Sequence, residues 1–459
     1  MNQNDFSLTL PTDSGRSLVA GWLMLALASL VGAGLVVILI VLARTPVIHD
    51  FIPWVGSFRT ALVIHVDLSV LVWFLSFAGV FAALGLSEKM ARVGKTSLQI
   101  AWAGAIIITL SPFLGEDLPY MNNYVPVLDN GAFFLGLGLF CGGFLVMAVH
   151  GLVNSRPYPG SGSGEGALRF GVVTALLIAL MAAGSFWWTH ANMPTGLERD
   201  EYWFELLFWG SGHILQFTHG QLMLVAWLWL AWTSGAVMRG LTPRVAMILL
   251  VIGALPALLG PVIHASFDVD SPDHREAFTW QMQFGGGMAA LPLGLALLWS
   301  SFTTGSAEEQ KKPERAALLL SIFLFGVGGL IGFLISGVDV TIPAHYHGSI
   351  VSITLAFMGL TYHLLPRLGF ERPGEKWATR QLILYGVGSS LHIFGLAWSG
   401  GHGVQRKTAG AAQGLVTLQE KIPMWIMGLG GILAVVGGLL FLFLAFRALN
   451  RRLEVAKAG

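Results

Sequence analysis

Long apolar blocks separated by short polar stretches run along nearly the whole chain. A helix needs about 20 mostly apolar residues to cross a hydrocarbon core. Blocks of that kind lie near 17–43, 57–86, 98–114, 130–153, 170–190, 204–233, 245–267, 277–302, 316–337, 344–366, 381–399 and 422–447. The pattern therefore predicts an all-α, polytopic membrane protein with about 12 spanning helices. No repeat of fixed period and no separate soluble domain interrupts them, so 1–459 is expected to form a single membrane domain. The stretch RPYPGSGSGEG, Arg156–Gly166, reads as a flexible loop between helices. The first apolar block is longer than a signal-peptide core, which predicts a retained helix.

Composition sharpens this reading. Hydrophobic residues make up 54% of the chain and charged ones only 11%, against roughly 25% charged in soluble domains. Glycine is abundant, with 58 residues, as expected where helices pack closely in lipid. A net charge of +1 offers no bulk attraction for nucleic acid. The single cysteine, Cys141, excludes disulfides within the chain, cysteine-rich metal sites and haem c attachment through C-x-x-C-H.

Loop charges set the expected orientation, because Lys and Arg favour the cytoplasmic side. With the N-terminus inside, the inner loops hold Lys89, Arg92, Lys95, Arg156, Arg169, Arg239, Arg244, Lys311, Lys312, Arg315, Arg367, Arg372, Lys376 and Arg380. The tail adds Arg447, Arg451, Arg452 and Lys457. The opposite loops carry Glu116, Asp117, Asp129, Glu198, Asp200 and Glu201 instead. Both termini are thus expected in the cytoplasm, with the chain in a bacterial cytoplasmic (inner) membrane among its lipids.

Given that topology, His65, His213, His264, His345 and His347 fall at one level, in the outer third of the membrane, on four different spans. Polar groups are costly inside a bilayer and usually face a functional interior. Imidazole is also the commonest metal ligand. Residues i and i+2 on a helix point about 200° apart, so His345 and His347 cannot chelate one metal. They can serve two cofactors, one on each side of their helix.

This pattern resembles the catalytic subunit I of the haem-copper oxidase superfamily, which includes nitric oxide reductases. The likeness covers nearly the whole chain: the span number, the topology, and landmarks in spans 2, 6, 7 and 10 and in the loop after span 11. The family's single histidine in its second helix matches His65 in ALVIHVDLSVLVWF. Its H-x-H motif matches His345-Tyr346-His347. The resemblance implies that His65 and His347 ligate a low-spin haem b, and that His345 is proximal ligand of a high-spin haem b where gas binds. It gives His213, in FWGSGHILQFTHG, to a second, non-haem metal. It gives Arg406 and Lys407, in SGGHGVQRKT, to the haem propionates.

Two departures matter. Oxygen-reducing members carry a His-His pair in helix 7, whereas GPVIHASFDVDSPDH offers His264 alone. Asp268 stands at i+4 from His264, a spacing that shares a helix face. Two histidines and a carboxylate suit non-haem iron, while three imidazoles would suit copper. The expected sphere is therefore His213, His264 and Asp268, with Gln216 as a weaker candidate. The second departure is tyrosine. Oxidases of the family place one four residues after the helix-6 histidine, where this chain has Phe217. Tyr202 lies too far up the helix at about 1.5 Å per residue. The lysine of one family proton channel is also missing from span 8.

These departures favour reduction of two NO to N2O and water at a high-spin haem and non-haem iron centre, by a divergent nitric oxide reductase-like branch. The alternatives are a terminal oxidase reducing O2 at a haem-copper centre, and an electron-transfer or gas-sensing subunit lacking a working second metal. An electron-donor partner subunit with haem c or copper is implied, with direct quinol oxidation as the other route. His219 is read as a packing residue. His190, His274 and His402 are read as solvated or near propionates. Glu198, Asp200, Glu201 and Glu205 are read as an acidic outer loop that could relay protons.

Overall fold

The computed structural model describes residues 5–11, 13–52, 54–87, 91–115, 118–236, 240–305 and 307–451. Lys89, Glu116, Asp117, Arg239, Arg452 and Lys457, used above for orientation, lie outside the described residues. Among the described residues the chain is all-α, with 12 helices long and apolar enough to cross a membrane. They are α1 Ser14–Arg44, α2 Val55–Gly85, α3 Arg92–Phe113, α4 Gly131–Val153, α5 Gly164–Ala191 and α6 Glu201–Thr233. The remainder are α7 Pro243–Ser266, α8 Pro272–Thr303, α9 Glu309–Gly332, α10 Thr341–Arg367, α11 Glu375–Gly400 and α12 Leu418–Leu449. Each matches one of the apolar blocks in order. The largest shift at a functional position is at α8, which starts earlier than its hydropathy suggests. Ser271 caps it by accepting from the His274 N–H, and Pro272 fills the first turn, where a missing N–H costs nothing.

Polar caps delimit the other helices in the same way. Asn130 accepts from the Phe133 N–H at the start of α4, Ser163 from Gly166 at α5 and Thr242 from Val245 at α7. Thr417 and Glu420 form a reciprocal capping box at α12. The only sheet among the described residues is a short hairpin between α3 and α4, β1 Pro119–Tyr120 paired antiparallel with β2 Val127–Leu128. Its tip carries Tyr124.

The chain divides into two compact units. The first comprises residues 1–32, 63–229 and 238–296, and the second residues 33–62, 230–237 and 297–459. In the first, α2 and α6 are the most enclosed helices, each 83% buried over its apolar core, against 33% for α7 and α8. In the second, α10 is 78% buried while α11 and α12 are 44% and 39%. The helices bearing His65, His213, His345 and His347 are therefore interior ones. Their sequences are apolar nearly all round, as burial requires.

Close backbone approach explains part of the glycine content. In the second unit α11 and α12 meet where a Cβ on Gly395 would lie 2.4 Å from the Met427 N, and one on Gly430 2.3 Å from the His392 N. Both blocking atoms are backbone, so neither can step aside. We expect Gly430→Ala to force the helices apart and lower stability by about 1–3 kcal/mol, read as a fall in the midpoint of thermal unfolding in detergent. An unchanged midpoint would contradict the packing.

Candidate functional site

In the first unit, three imidazoles surround one phenylalanine. Phe278 of α8 is 0% exposed. Its ring centroid stands 5.7 Å from that of His213, 5.2 Å from His264 and 5.0 Å from His274. His213 comes from the buried face of α6. His264 comes from the last turn of α7, which follows a 3₁₀ stretch at Leu255–Leu258 containing Pro256. A short connection then turns back, and His274 enters from the first turn of α8.

His274 is 1% exposed, so it is not solvated, the first of the two settings the sequence offers for it. Its Nε2 lies 3.2 Å from Nδ1 of His264, one N–H donating to the other's lone pair. Ser185 of α5 pairs with His264 Nε2 at 2.6 Å. Metal–imidazole bonds of about 2.0–2.1 Å at a tetrahedral angle set ligand nitrogens about 3.3 Å apart. The His264–His274 pair already has that edge length.

His213 has a defined tautomer. Its Nδ1–H donates to the Trp209 carbonyl, 2.8 Å away, so in the neutral ring Nε2 carries the lone pair. That lone pair accepts the Tyr124 hydroxyl at 2.9 Å. Tyr124 arrives from the hairpin tip, and its approach depends on Gly212, whose Cβ would fall 2.2 Å from the tyrosine Cγ. Burial, and then the neighbouring Glu205 carboxylate, hold the Tyr124 phenol well above its ordinary range. It is therefore a neutral O–H donor.

Asp268 does not join this group. The helical run ends at Ser266, and Phe267 is extended, so the i, i+4 relation with His264 does not exist. The Asp268 side chain is exposed, while its carbonyl accepts from Ser271 N–H and Oγ–H. Gln216 is half-buried one turn beyond His213, and its Oε1 is buried with no hydrogen-bond partner among the described residues. Among those residues no group of three His, Cys, Asp or Glu side chains converges closely enough to hold a metal as placed.

His65 also belongs to the first unit, half-buried on α2 just before a π-helical turn at Asp67–Val72. Such turns widen a helix and often mark functional sites. Asp67 within it is fully buried, and neither carboxyl oxygen has a hydrogen-bond partner among the described residues. The sequence reading passed over it, although an acidic residue inside an apolar run is itself a signal.

In the second unit, His345 donates its Nδ1–H to the Gly328 carbonyl at 2.7 Å. Gly332 makes room for the ring, since a Cβ there would lie 2.7 Å from Nδ1. His347 donates its Nδ1–H to the Pro343 carbonyl, also at 2.7 Å. Both rings are thereby fixed with Nε2 unprotonated, the form that binds iron. His392 of α11, unassigned by the sequence, lies beside His347 with ring centroids 5.0 Å apart. Arg406 and Lys407 are half-buried in the loop after α11. Lys407 adopts φ +59°, a left-handed conformation uncommon for a side chain this long. Arg44, also missed, anchors that loop by donating to the Gln405 carbonyl at 3.2 Å and Gln413 Oε1 at 3.4 Å.

No protein-family model matches the chain. It is 28% identical to an uncharacterised protein of Rickettsia prowazekii, over 94% of this chain and 95% of that protein. It is 28% identical to an uncharacterised protein of Aquifex aeolicus, over 77% of this chain and 86% of that one. Identity to cytochrome c oxidase subunit 1 of Thermus thermophilus is 23%, over 96% of this chain and 85% of that one. The fold matches a chain of a haem-copper terminal oxidase dimer solved by cryo-EM, with a TM-score of 0.73 and 14% identity over 97% of this chain and 86% of that chain. The twelve-helix fold is thus that of a haem-copper oxidase subunit I.

Proposed function

We propose that this chain is the catalytic subunit of a membrane-bound respiratory oxidoreductase of haem-copper type, and that its gas substrate is O2. The observation that carries the choice of gas is the Tyr124 hydroxyl on the imidazole of His213. Helix 6 lacks the family's tyrosine, with Phe217 in its place, and α7 carries His264 alone. Tyr124 brings a hydroxyl to His213, and His274 brings a third imidazole beside His264, which supports the O2 reading.

The residues fit the cofactors this reading requires. His345 and His347, each with Nδ1–H tied to a carbonyl, offer Nε2 to haem iron, and His65 is the partner assigned to the low-spin haem. Arg406 and Lys407 supply cationic donors for propionates. His264 and His274 would offer two ligands at the spacing one ion needs, and His213 would be the third, its Nε2 turning from the Tyr124 hydroxyl to the ion. Three imidazoles favour copper over iron. When bound, a high-spin haem and a second metal together supply the electrons and Lewis acidity that O2 reduction demands.

The chain's own groups handle proton and position. Trp209 fixes the His213 tautomer, Ser185 and His274 orient His264, and Phe278 packs against all three rings. Tyr124 presents an O–H into the same space, a source of one proton and one electron when the O–O bond breaks. Electrons come from a partner subunit with haem c or copper, or from quinol. Inner-membrane placement agrees with the loop charges and with bacterial relatives.

A second reading keeps NO as substrate and iron as the second metal. It is favoured by Phe217 at the family's tyrosine position and by the lone histidine of α7. Metal analysis and gas assays separate the two. The O2 reading expects copper beside haem iron, and O2 consumption with a cytochrome or quinol donor. Iron without copper, with N2O formed from NO under argon and no O2 uptake, would establish the second reading instead. Haem without any second metal would reject both.

A further inference from the structure

The hydroxyl of Tyr124 is delivered by a hairpin rather than a spanning helix, so something must hold that hairpin still. Within the turn, Asn122 Oδ1 accepts from the N–H groups of Tyr124 and Val125 at 3.1 and 3.0 Å. Its Nδ2 donates to the Val125 carbonyl. These bonds shape the turn without attaching it to the helices. Its flanks pack by stacking, with Tyr120 on Phe204 at 5.5 Å, a contact that leaves sliding open.

Arg199 pairs with Asp129 at the far end of the hairpin, 3.5 Å away; at the tip, next to Tyr124, the directional attachment is Glu205. This α6 carboxylate lies two helical turns above His213. It accepts the Asn123 backbone N–H on Oε2 at 2.9 Å and the Asn123 side-chain amide on Oε1. Arg275, beside His274, reaches the same carboxylate at 3.9 Å. The Arg275 guanidinium lies over Trp209 with its Cζ 4.8 Å from the ring centroid, and the Trp209 indole N–H donates to the Arg275 carbonyl at 3.2 Å. Trp209 is also the residue whose carbonyl fixes His213. One carboxylate therefore ties the hairpin to α6 and, through Arg275, to the start of α8.

We propose that Glu205 is a positioning residue whose two-point grip on Asn123 holds the Tyr124 hydroxyl beside the His213 ring. The inference deepens the O2 reading and rests on it for its consequence in turnover, but the grip itself can be tested without any reaction. A carboxylate suits the task because two oxygens accept two donors from one residue in a fixed fork. Alanine removes both bonds, and glutamine keeps one acceptor.

The test places 3-fluorotyrosine at position 124 of the full chain in detergent and follows its ¹⁹F signal. Wild type is expected to give one sharp resonance, and Glu205→Ala a shifted or broadened one. Glu205→Gln should fall between. Asn123→Ala, which removes the side-chain bond from the hairpin end, should shift the signal in the same direction. It also serves as the second variant if Glu205→Ala does not fold. In O2 turnover, Glu205→Ala should lose about tenfold, since small misplacements of catalytic groups are that costly. In a Tyr124→Phe background it should cost less than about twofold further. A wild-type ¹⁹F signal in Glu205→Ala overturns the proposal, as does an equal loss of turnover with and without Tyr124. If the wild type consumes no O2 but the signal still depends on Glu205, the O2 reading fails and the grip stands.

Discussion

Tyr124→Phe is expected to lower O2 turnover by about 10²-fold or more, the range for removing a positioned proton donor, while leaving both haem absorption bands and the second metal in place. The substitution deletes one oxygen atom. The phenyl ring still packs on Gly212 and against Trp209, whose ring lies 5.7 Å from that of Tyr124, so the hairpin keeps its seat. The group lost is the hydroxyl that reaches the His213 ring. A purely structural tyrosine would show itself as reduced haem content or a lower unfolding temperature, with turnover per haem unchanged. That result would remove the main support for O2 as substrate. NO reduction does not call on a tyrosine, so a chain of that type should keep NO turnover in the same variant.

His274→Ala is the second large effect. On the O2 reading, removing one imidazole of the three proposed ligands should empty the second metal position, with copper falling to background in elemental analysis and turnover lost with it. Haem content should be unaffected, since His345 and His347 hold their carbonyl bonds in the other unit. Asp268→Asn is the paired control. Its side chain is exposed and past the helix end, so the metal should survive it. The reverse outcome, with metal lost in Asp268→Asn and kept in His274→Ala, would restore the two-histidine, one-carboxylate iron site read from the sequence.

The contrast between these residues shows what one-dimensional reading can reach. The spans were legible because a bilayer imposes a length on every apolar run, and each of the twelve apolar blocks is a helix. Asp268 misled because a helical spacing was carried two residues beyond where the helix stops at Ser266. The signal that would have found His274 was present. Ser271-Pro272 is a cap followed by an N1 proline, and starting α8 there places His274 on a helix instead of in a loop. Tyr124 could not be found in this way. Its bond to His213 joins residues 89 apart, from a hairpin to a helix, and no local periodicity encodes such a contact. Asp67 gave a signal that was not followed.

The nearness of His264 and His274 along the chain bears on how the protein is built. Only ten positions separate the two rings, and closing so short a loop costs little entropy. The two rings can therefore meet within a single hairpin of neighbouring helices, without any contribution from later spans. The pairing is thus a local property of the α7–α8 turn, and its formation does not wait on the rest of the bundle.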